Sequence, residues 1–147
     1  MRLSATTNTA CLADGNAMVV DTSALIALLN NEPESARLAV AIESDATRLI
    51  SAATVVEAGL VIEARYGPVG GRELDLLIAK AGMSIEAVTP EQAEVARGAW
   101  RRFGKGRHSA GLNFGDCFSY ALAKVTGEPL LFKGDHFNHT DITATVF

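Results

Sequence analysis

Short apolar runs alternate with longer segments of helical periodicity along most of this chain. The short runs predict strands, and apolar positions three and four residues apart predict helices. The predicted strands cover residues 18–21, 48–51, 83–88 and 130–132, with a possible last strand at 144–147. The predicted helices cover residues 24–30, 34–43, 53–65, 73–81 and 91–103, and a last one begins after Asn113. This alternation is typical of an α/β fold with a parallel sheet and helices on both faces.

Several helix boundaries follow from local chemistry. We expect Thr22 or Ser23 to cap the first helix and Thr89 to cap the fifth, because their hydroxyls can accept from backbone N–H groups. The Gly67-Pro68 pair should end the third helix near residue 65. The next helix should then open after the glycines at positions 70 and 71.

The last predicted helix carries an isolated acid. Asn113 suits the N-cap, which places Asp116 at the third helical position. Asp116 is also the sole formally charged residue between Arg107 and Lys124. The helix N-terminus alone favours an anion, but a carboxylate among apolar residues is costly without a compensating cation. The recurring apolar positions predict a buried face made of Phe114, Cys117, Phe118, Ala121, Leu122 and Val125.

Three further acids repeat this pattern. Asp21 follows the apolar run at 18–20, Glu57 lies within an apolar segment, and Asp135 follows the last strand. Sites in open parallel sheets gather beyond the carboxyl ends of the strands, so we expect these acids to converge with Asp116. Oxygen ligands without His or Cys favour Mg²⁺ or Mn²⁺. Two such ions can activate water and stabilise a leaving oxygen at phosphorus.

Composition limits the classes of protein to which this chain could belong. The chain has 147 residues, enough for one domain with its own core, and 48% of them are hydrophobic. No apolar run approaches the roughly 20 residues of a membrane span, so we expect no membrane association. The net charge of −4 argues against a passive nucleic-acid binder. Cys11 and Cys117 form no CxxC motif, which indicates ordinary thiols of a reducing compartment and a cytoplasmic location.

Residues 1–17 show neither periodicity nor a strand pattern. They lack the apolar core of a secretory signal. We interpret them as a disordered leader or an upstream translation start, and assign the single domain to residues 18–147.

Four segments, in order, resemble the signature segments of PIN-domain ribonucleases, specifically VapC-type toxins of bacterial toxin–antitoxin pairs. They are residues 18–25 (MVVDTSAL), 51–58 (SAATVVEA), 112–123 (LNFGDCFSYALA), and 131–137 (LFKGDHF) continuing through 140–142 (TDI). The resemblance spans everything after the leader. It implies a three-layer α/β/α sandwich around a mostly parallel sheet. It also implies an Mg²⁺- or Mn²⁺-dependent endoribonuclease that hydrolyses phosphodiester bonds in RNA such as tRNA or ribosomal RNA.

The same resemblance assigns roles to single residues. The acidic quartet would be Asp21, Glu57, Asp116 and Asp135, with Asp21 and Asp116 binding metal most directly. Glu57 and Asp135 would complete the site through waters or a second ion. Thr22, Ser23 and Asn113 would orient metal, water or phosphate. The resemblance further implies a homodimer and silencing by a small cognate VapB-type antitoxin.

Two features depart from the family pattern. His136 stands where many relatives carry an acid or Asn beside the matched Asp135, which makes Asp141 a candidate substitute or fifth member of the acidic set. The leader is also unusually long, since the first catalytic acid normally lies near the initiator.

Other interpretations remain open at this point. A phosphatase with Asp21 as nucleophile is disfavoured, because no second acid follows two residues later. A catalytically inactive RNA- or protein-binding module is disfavoured by the intact set of carboxylates, which would only cost stability. Six neighbouring residues form a basic concentration that is either a phosphate contact or a solvated helix end: Arg97, Arg101, Arg102, Lys105, Arg107 and His108. We assign Trp100 to the core or an interface rather than to base stacking.

Overall fold

The computed structural model describes residues 16–147. Four strands and five helices follow one another along this part of the chain, with a 3₁₀ turn at His136–His139. The strands are β1 (Ala17–Val20), β2 (Thr47–Ser51), β3 (Ser84–Glu86) and β4 (Leu130–Leu131). The helices are α1 (Thr22–Leu29), α2 (Ser35–Ser44), α3 (Ala52–Lys80), α4 (Pro90–Phe103) and α5 (Phe114–Thr126).

The strands form one parallel sheet in the order β3-β2-β1-β4. In the centre, Val19 pairs with Leu49 on one side and Leu130 on the other. The possible strand at 144–147 is reduced to one isolated parallel bridge between Ala144 and Leu130. All four named strands therefore end at the same edge of the sheet, which confirms the expected parallel topology.

Successive side chains of β1 pack into two different apolar cores, one on each face of the sheet. Met18 and Val20 pack into an apolar cluster with residues of α1, α2 and α3. Val19, which points to the opposite face, packs with residues of α4 and α5. Because successive strand side chains point to opposite faces, helices cover both faces of the sheet. The predicted α/β/α sandwich is confirmed.

The helix boundaries differ from expectation at two points. The cap of α1 is Asp21, whose carboxylate accepts from the Ser23 N–H, rather than Thr22 or Ser23. The third and fourth predicted helices run together as α3, broken at Gly67 with φ of 65° and ψ of −159°. Pro68 fits the first position of the second half, since it needs no backbone donor there. The break was predicted correctly, but the second half begins earlier than the expected start after Gly71.

The predicted buried face of α5 is wrong at its first residue. Phe114 is 80% exposed. The buried side of the helix instead includes Asp116 and Ser119, which face the other elements of the fold. Counting hydrophobic residues alone missed this, because hydrogen bonds satisfy both polar side chains: Asp116 bonds Asn113, and Ser119 bonds Asp21.

The predicted leader lies mostly outside the described residues, and so does Cys11. Its last two residues belong to the domain: Ala17 begins β1, and the Asn16 carbonyl accepts from the Ala46 and Thr47 N–H groups. Within residues 16–147, no helix has both the length and the apolar character needed to cross a membrane.

Candidate active site

A cleft of about 340 Å³ opens beyond the carboxyl ends of β1, β2 and β4. The first turn of α1, the second turn of α3, the start of α5 and the segment after β4 all contribute side chains to it. It brings together every predicted site residue except one: Asp21, Thr22, Ser23, Glu57, Asn113, Asp116 and Asp135. The convergence follows from parallel strands ending at one edge.

Asp21 lies deepest and is 2% exposed. Its Oδ1 accepts from the Ser119 hydroxyl at 2.6 Å, and its Oδ2 accepts from the Ser23 hydroxyl at 2.7 Å and the Ser23 N–H at 3.0 Å. Burial raises the pKa of Asp21; the serine hydrogen bonds oppose this rise, and nearby Asp116 adds to it. Among the described residues, no basic side chain pairs with it within 4 Å, so its charge lacks a protein counter-ion.

Asp116 is held by the start of α5. Its Oδ2 accepts from the Asn113 N–H at 3.0 Å, while Asn113 Oδ1 accepts from the Asp116 N–H at 2.9 Å. This reciprocal capping box confirms the predicted cap and fixes the carboxylate over the helix N-terminus. His136 Nδ1 lies 3.2 Å from Asp116 Oδ2, so the residue that departs from the family pattern contacts a member of the acidic set.

Glu57 reaches the cleft from α3. Its Oε1 accepts from the Thr22 hydroxyl at 2.5 Å. Burial, together with the charges of Asp21 and Asp116, raises the pKa of Glu57 even though the Thr22 hydrogen bond lowers it. Gly115 makes room for the carboxylate, because a Cβ at that position would overlap it.

Asp135 lines the rim rather than the floor of the cleft. Its side chain is 74% exposed, and its Oδ2 lies 2.7 Å from His139 Nε2. Hydrogen bonds from Asn138 and His139 hold the pKa of Asp135 below its usual value. Its environment is thus opposite to that of Asp21, with solvent and nearby donors in place of burial.

Asp141 is not brought to the cleft. Its carboxylate accepts from the Tyr120 hydroxyl at 2.6 Å and from Lys124 Nζ at 3.0 Å, and lies 3.6 Å from Arg102. The expectation that it substitutes for Asp135 therefore has no support in its position. These contacts hold the segment that follows the 3₁₀ turn against α4 and α5.

Sequence reasoning missed two residues that shape the site. Ser119, fully buried on α5, lies 3.3 Å from the Thr54 hydroxyl as well as bonding Asp21. Lys133 lines the cleft, but its ammonium pairs with Glu32 and Glu34 instead of with the site carboxylates. No periodic signal marks a serine inside an apolar helix, and the Lys133 pairs join segments that are distant in sequence.

The donor set fits a hard divalent cation. Asp21, Glu57 and Asp116 influence one another electrostatically, and all offer oxygen. Within residues 16–147, no three His, Cys, Asp or Glu side chains are close enough to enclose a metal ion by themselves. This open arrangement matches Mg²⁺, which binds through one or two carboxylates and keeps several waters. A buried carboxylate without a counter-ion is the observation that calls for such a cation.

Comparison with known families agrees with this geometry. The PIN domain family model matches residues 18–142. Ribonuclease VapC30 of Mycobacterium tuberculosis is 59% identical over 129 residues, covering 88% of this chain and 98% of the relative. The chain belongs to the VapC ribonuclease family of PIN-domain proteins.

Other family members extend the comparison. Ribonuclease VapC of Mycolicibacterium smegmatis is 56% identical over 127 residues, which is 86% of this chain and 98% of the relative. The crystal structure of the M. tuberculosis VapC20 toxin, which cleaves the sarcin–ricin loop, superposes with a TM-score of 0.71 at 18% identity, covering 86% of this chain and 96% of that one. The VapC fold is therefore shared well beyond the range of close sequence similarity.

Proposed function

We propose that this VapC-family protein is the toxin of a toxin–antitoxin pair and acts as a divalent-metal-dependent endoribonuclease in the cytoplasm. The observation that carries this proposal is the cleft itself: four carboxylates line it beyond the strand ends, and one of them is deeply buried without a protein counter-ion. The ribonuclease names of relatives up to 59% identical support the same conclusion.

Asp21 and Asp116 would hold the metal, with Glu57 and Asp135 completing the site through waters or a second ion. Bound Mg²⁺ or Mn²⁺ supplies an activated water and neutralises charge at the phosphate. The protein orients these groups: Ser119 and Ser23 fix the two oxygens of Asp21, and Thr22 fixes Glu57. Such outer contacts commonly change metal affinity or activity by about 10- to 100-fold.

Two protein partners complete the proposal: a second copy of the chain and a VapB-type antitoxin. Exposed apolar side chains on α3 offer contact area, including Val56, Leu60 and Val69, each about 60% exposed. Solved structures with this fold include VapBC2 of Rickettsia felis and a toxin–antitoxin complex of Klebsiella pneumoniae. An antitoxin that covers the acidic cleft with a basic side chain would neutralise the uncompensated charge there.

Cleavage of total cellular RNA by the purified protein tests the proposed activity. We expect discrete fragments with Mg²⁺ or Mn²⁺, none with EDTA, and none from Asp116→Asn protein with an unchanged circular dichroism spectrum. Equal cutting by the variant would contradict the assignment of the site. Growth arrest by an Asp21→Asn variant in cells would favour the binding-module interpretation, and a covalent phosphoenzyme on Asp21 would favour the phosphatase.

A further inference from the structure

A second groove, of about 640 Å³, lies between α4 and α5. Its walls combine aromatic side chains with arginines: Trp100, Phe114 and Phe118 together with Arg97, Arg101 and Arg107. Phe114 and Phe118 stack edge to face with their ring centroids 4.9 Å apart. The guanidinium of Arg107 lies 4.1 Å from the centroid of the Trp100 ring. Trp100 is 43% exposed, which excludes the core alternative, whereas the interface alternative stays a prediction.

This groove adjoins the acidic cleft through the first turn of α5. Asp116 faces the cleft, whereas Phe114, two residues earlier, faces the groove. Phe114 is 80% exposed although it is a large apolar side chain. A chain molecule lying across the N-terminus of α5 would therefore touch the carboxylates and the aromatic rings at once.

We propose that the α4–α5 groove binds unpaired bases of single-stranded RNA next to the phosphate that is cleaved. This inference rests on the proposed ribonuclease function and adds the kind of RNA that the site accepts. Aromatic rings stack on bases without regard to sequence, and arginines pair with the intervening phosphates. Double-stranded RNA keeps its bases stacked internally and cannot offer them to Phe114 or Trp100.

Charge distribution favours RNA over a second copy of the chain as the occupant. The described residues that line the groove include three arginines and no carboxylate, although the protein carries a net charge of −4. A two-fold symmetric contact through this surface would bring the arginines of both copies into the same interface. A polyanion instead gains from Arg101 and Arg107, whereas Arg97 already pairs with Glu94 at 3.0 Å.

Neighbouring arginines on α4 provide an internal control. Arg101 lines the groove, whereas Arg102 points away, with its guanidinium 4.7 Å from the centroid of Phe103 and 3.6 Å from Asp141. The two substitutions Arg101→Glu and Arg102→Glu make the same charge change on the same helix. A diffuse electrostatic attraction would respond to both equally, and a groove contact only to the first.

The test is binding of fluorescein-labelled 12-nucleotide RNAs of randomised sequence, measured by anisotropy with Mg²⁺ in a Glu57→Gln background that limits cleavage. We expect Phe114→Ala to weaken single-strand binding about tenfold, and to leave binding of abasic RNA and of duplex RNA unchanged. Arg101→Glu should weaken binding and lower the slope of log binding constant against log salt concentration by about one. Arg102→Glu should change neither the affinity nor this slope. Because Trp100 is the sole tryptophan of the chain, single-stranded RNA should quench its fluorescence directly.

Three results would overturn the groove assignment. One is unchanged single-strand affinity in the Phe114→Ala protein; the second is equal weakening by Arg101→Glu and Arg102→Glu. The third is conversion of a dimer to a monomer by Phe114→Ala with RNA affinity intact, seen by sedimentation, which would identify the surface as a contact between copies. Metal-dependent cleavage by the unmodified protein is measured separately, so these results would overturn the groove assignment without contradicting the nuclease function.

Discussion

Neutralising Asp21 should stabilise the metal-free protein while it destroys the site. Burial raises the pKa of this carboxyl above its value in the unfolded chain. The folded protein therefore holds the proton more tightly than the unfolded one, so the free energy of unfolding falls as pH rises from acidic to neutral. At pH 7, burying this carboxyl costs folding free energy whether it stays ionised or takes up a proton. The Asp21→Asn substitution removes that cost.

The size of the gain follows from the same contacts. The asparagine oxygen can keep the capping bond to the Ser23 N–H, and its amide can donate to the Ser119 hydroxyl. Stabilising changes of this kind are commonly worth about 0.5–2 kcal/mol. In a domain of this size, 1 kcal/mol shifts the melting temperature by about 2–4 °C. We therefore expect a rise of roughly 1–8 °C at pH 7, and a smaller rise at pH 4.

Thermal unfolding with EDTA and with Mg²⁺ checks this expectation. Mg²⁺ should raise the melting temperature of the unmodified protein, because a ligand that binds only the folded state stabilises it. The same ion should have little effect on Asp21→Asn. Asp135→Asn is the matched control: hydrogen bonds lower the pKa of that exposed carboxyl, so its neutralisation should bring no gain. A lower melting temperature for Asp21→Asn in EDTA would contradict the expected cost of burying this carboxyl. Equal stabilisation of both proteins by Mg²⁺ would contradict its role in metal binding.

Three other substitutions probe the surroundings of the site. Ser119→Ala removes the 2.6 Å hydrogen bond to Asp21 and should lower kcat about tenfold, measured by cleavage of one defined RNA substrate. Gly115→Ala adds a methyl group that overlaps the Glu57 carboxylate, and should reduce cleavage about 100-fold in the same assay while circular dichroism stays unchanged. Asp141→Asn should leave cleavage within about twofold and lower stability to urea by roughly 1 kcal/mol, because this residue bonds structural partners outside the cleft.

Matched variants separate these local effects from general damage. Gly98→Ala places a methyl group on α4 with its nearest neighbour at 3.9 Å, so cleavage should not change. Ser35→Ala removes an exposed hydrogen bond to Asn31, and neither residue lines the cleft, so cleavage should also stay unchanged. Equal losses in Gly115→Ala and Gly98→Ala, or in Ser119→Ala and Ser35→Ala, would argue against specific roles. A large loss of cleavage in Asp141→Asn would restore that residue as a site candidate.

Structural features that depend only on neighbouring residues were predictable from the sequence. The Asn113 cap with Asp116 at the third helical position depends on four consecutive residues, and the structure confirms it. The strand that ends before Asp21 was likewise marked by a short apolar run. Local hydrogen-bonding chemistry is enough to predict such elements.

Contacts between distant segments were not predictable in the same way. Ser119 and Asp21 are 98 residues apart, and Thr22 and Glu57 are 35 apart. Their pairing depends on the sheet order, which brings α1, α3 and α5 to one edge. The exposure of Phe114 was missed for the same reason: the buried polar side chains of α5 rotate the apolar residue outward, against the hydrophobic pattern.

An anomalous difference map from crystals grown with Mn²⁺ would locate the bound metal directly. We expect a peak in the cleft within coordination distance of the Asp21 and Asp116 carboxylates, and its loss in Asp116→Asn crystals. A cleft without a peak, or a peak bound by other residues while RNA is still cleaved, would contradict the assignment of these carboxylates as the metal site.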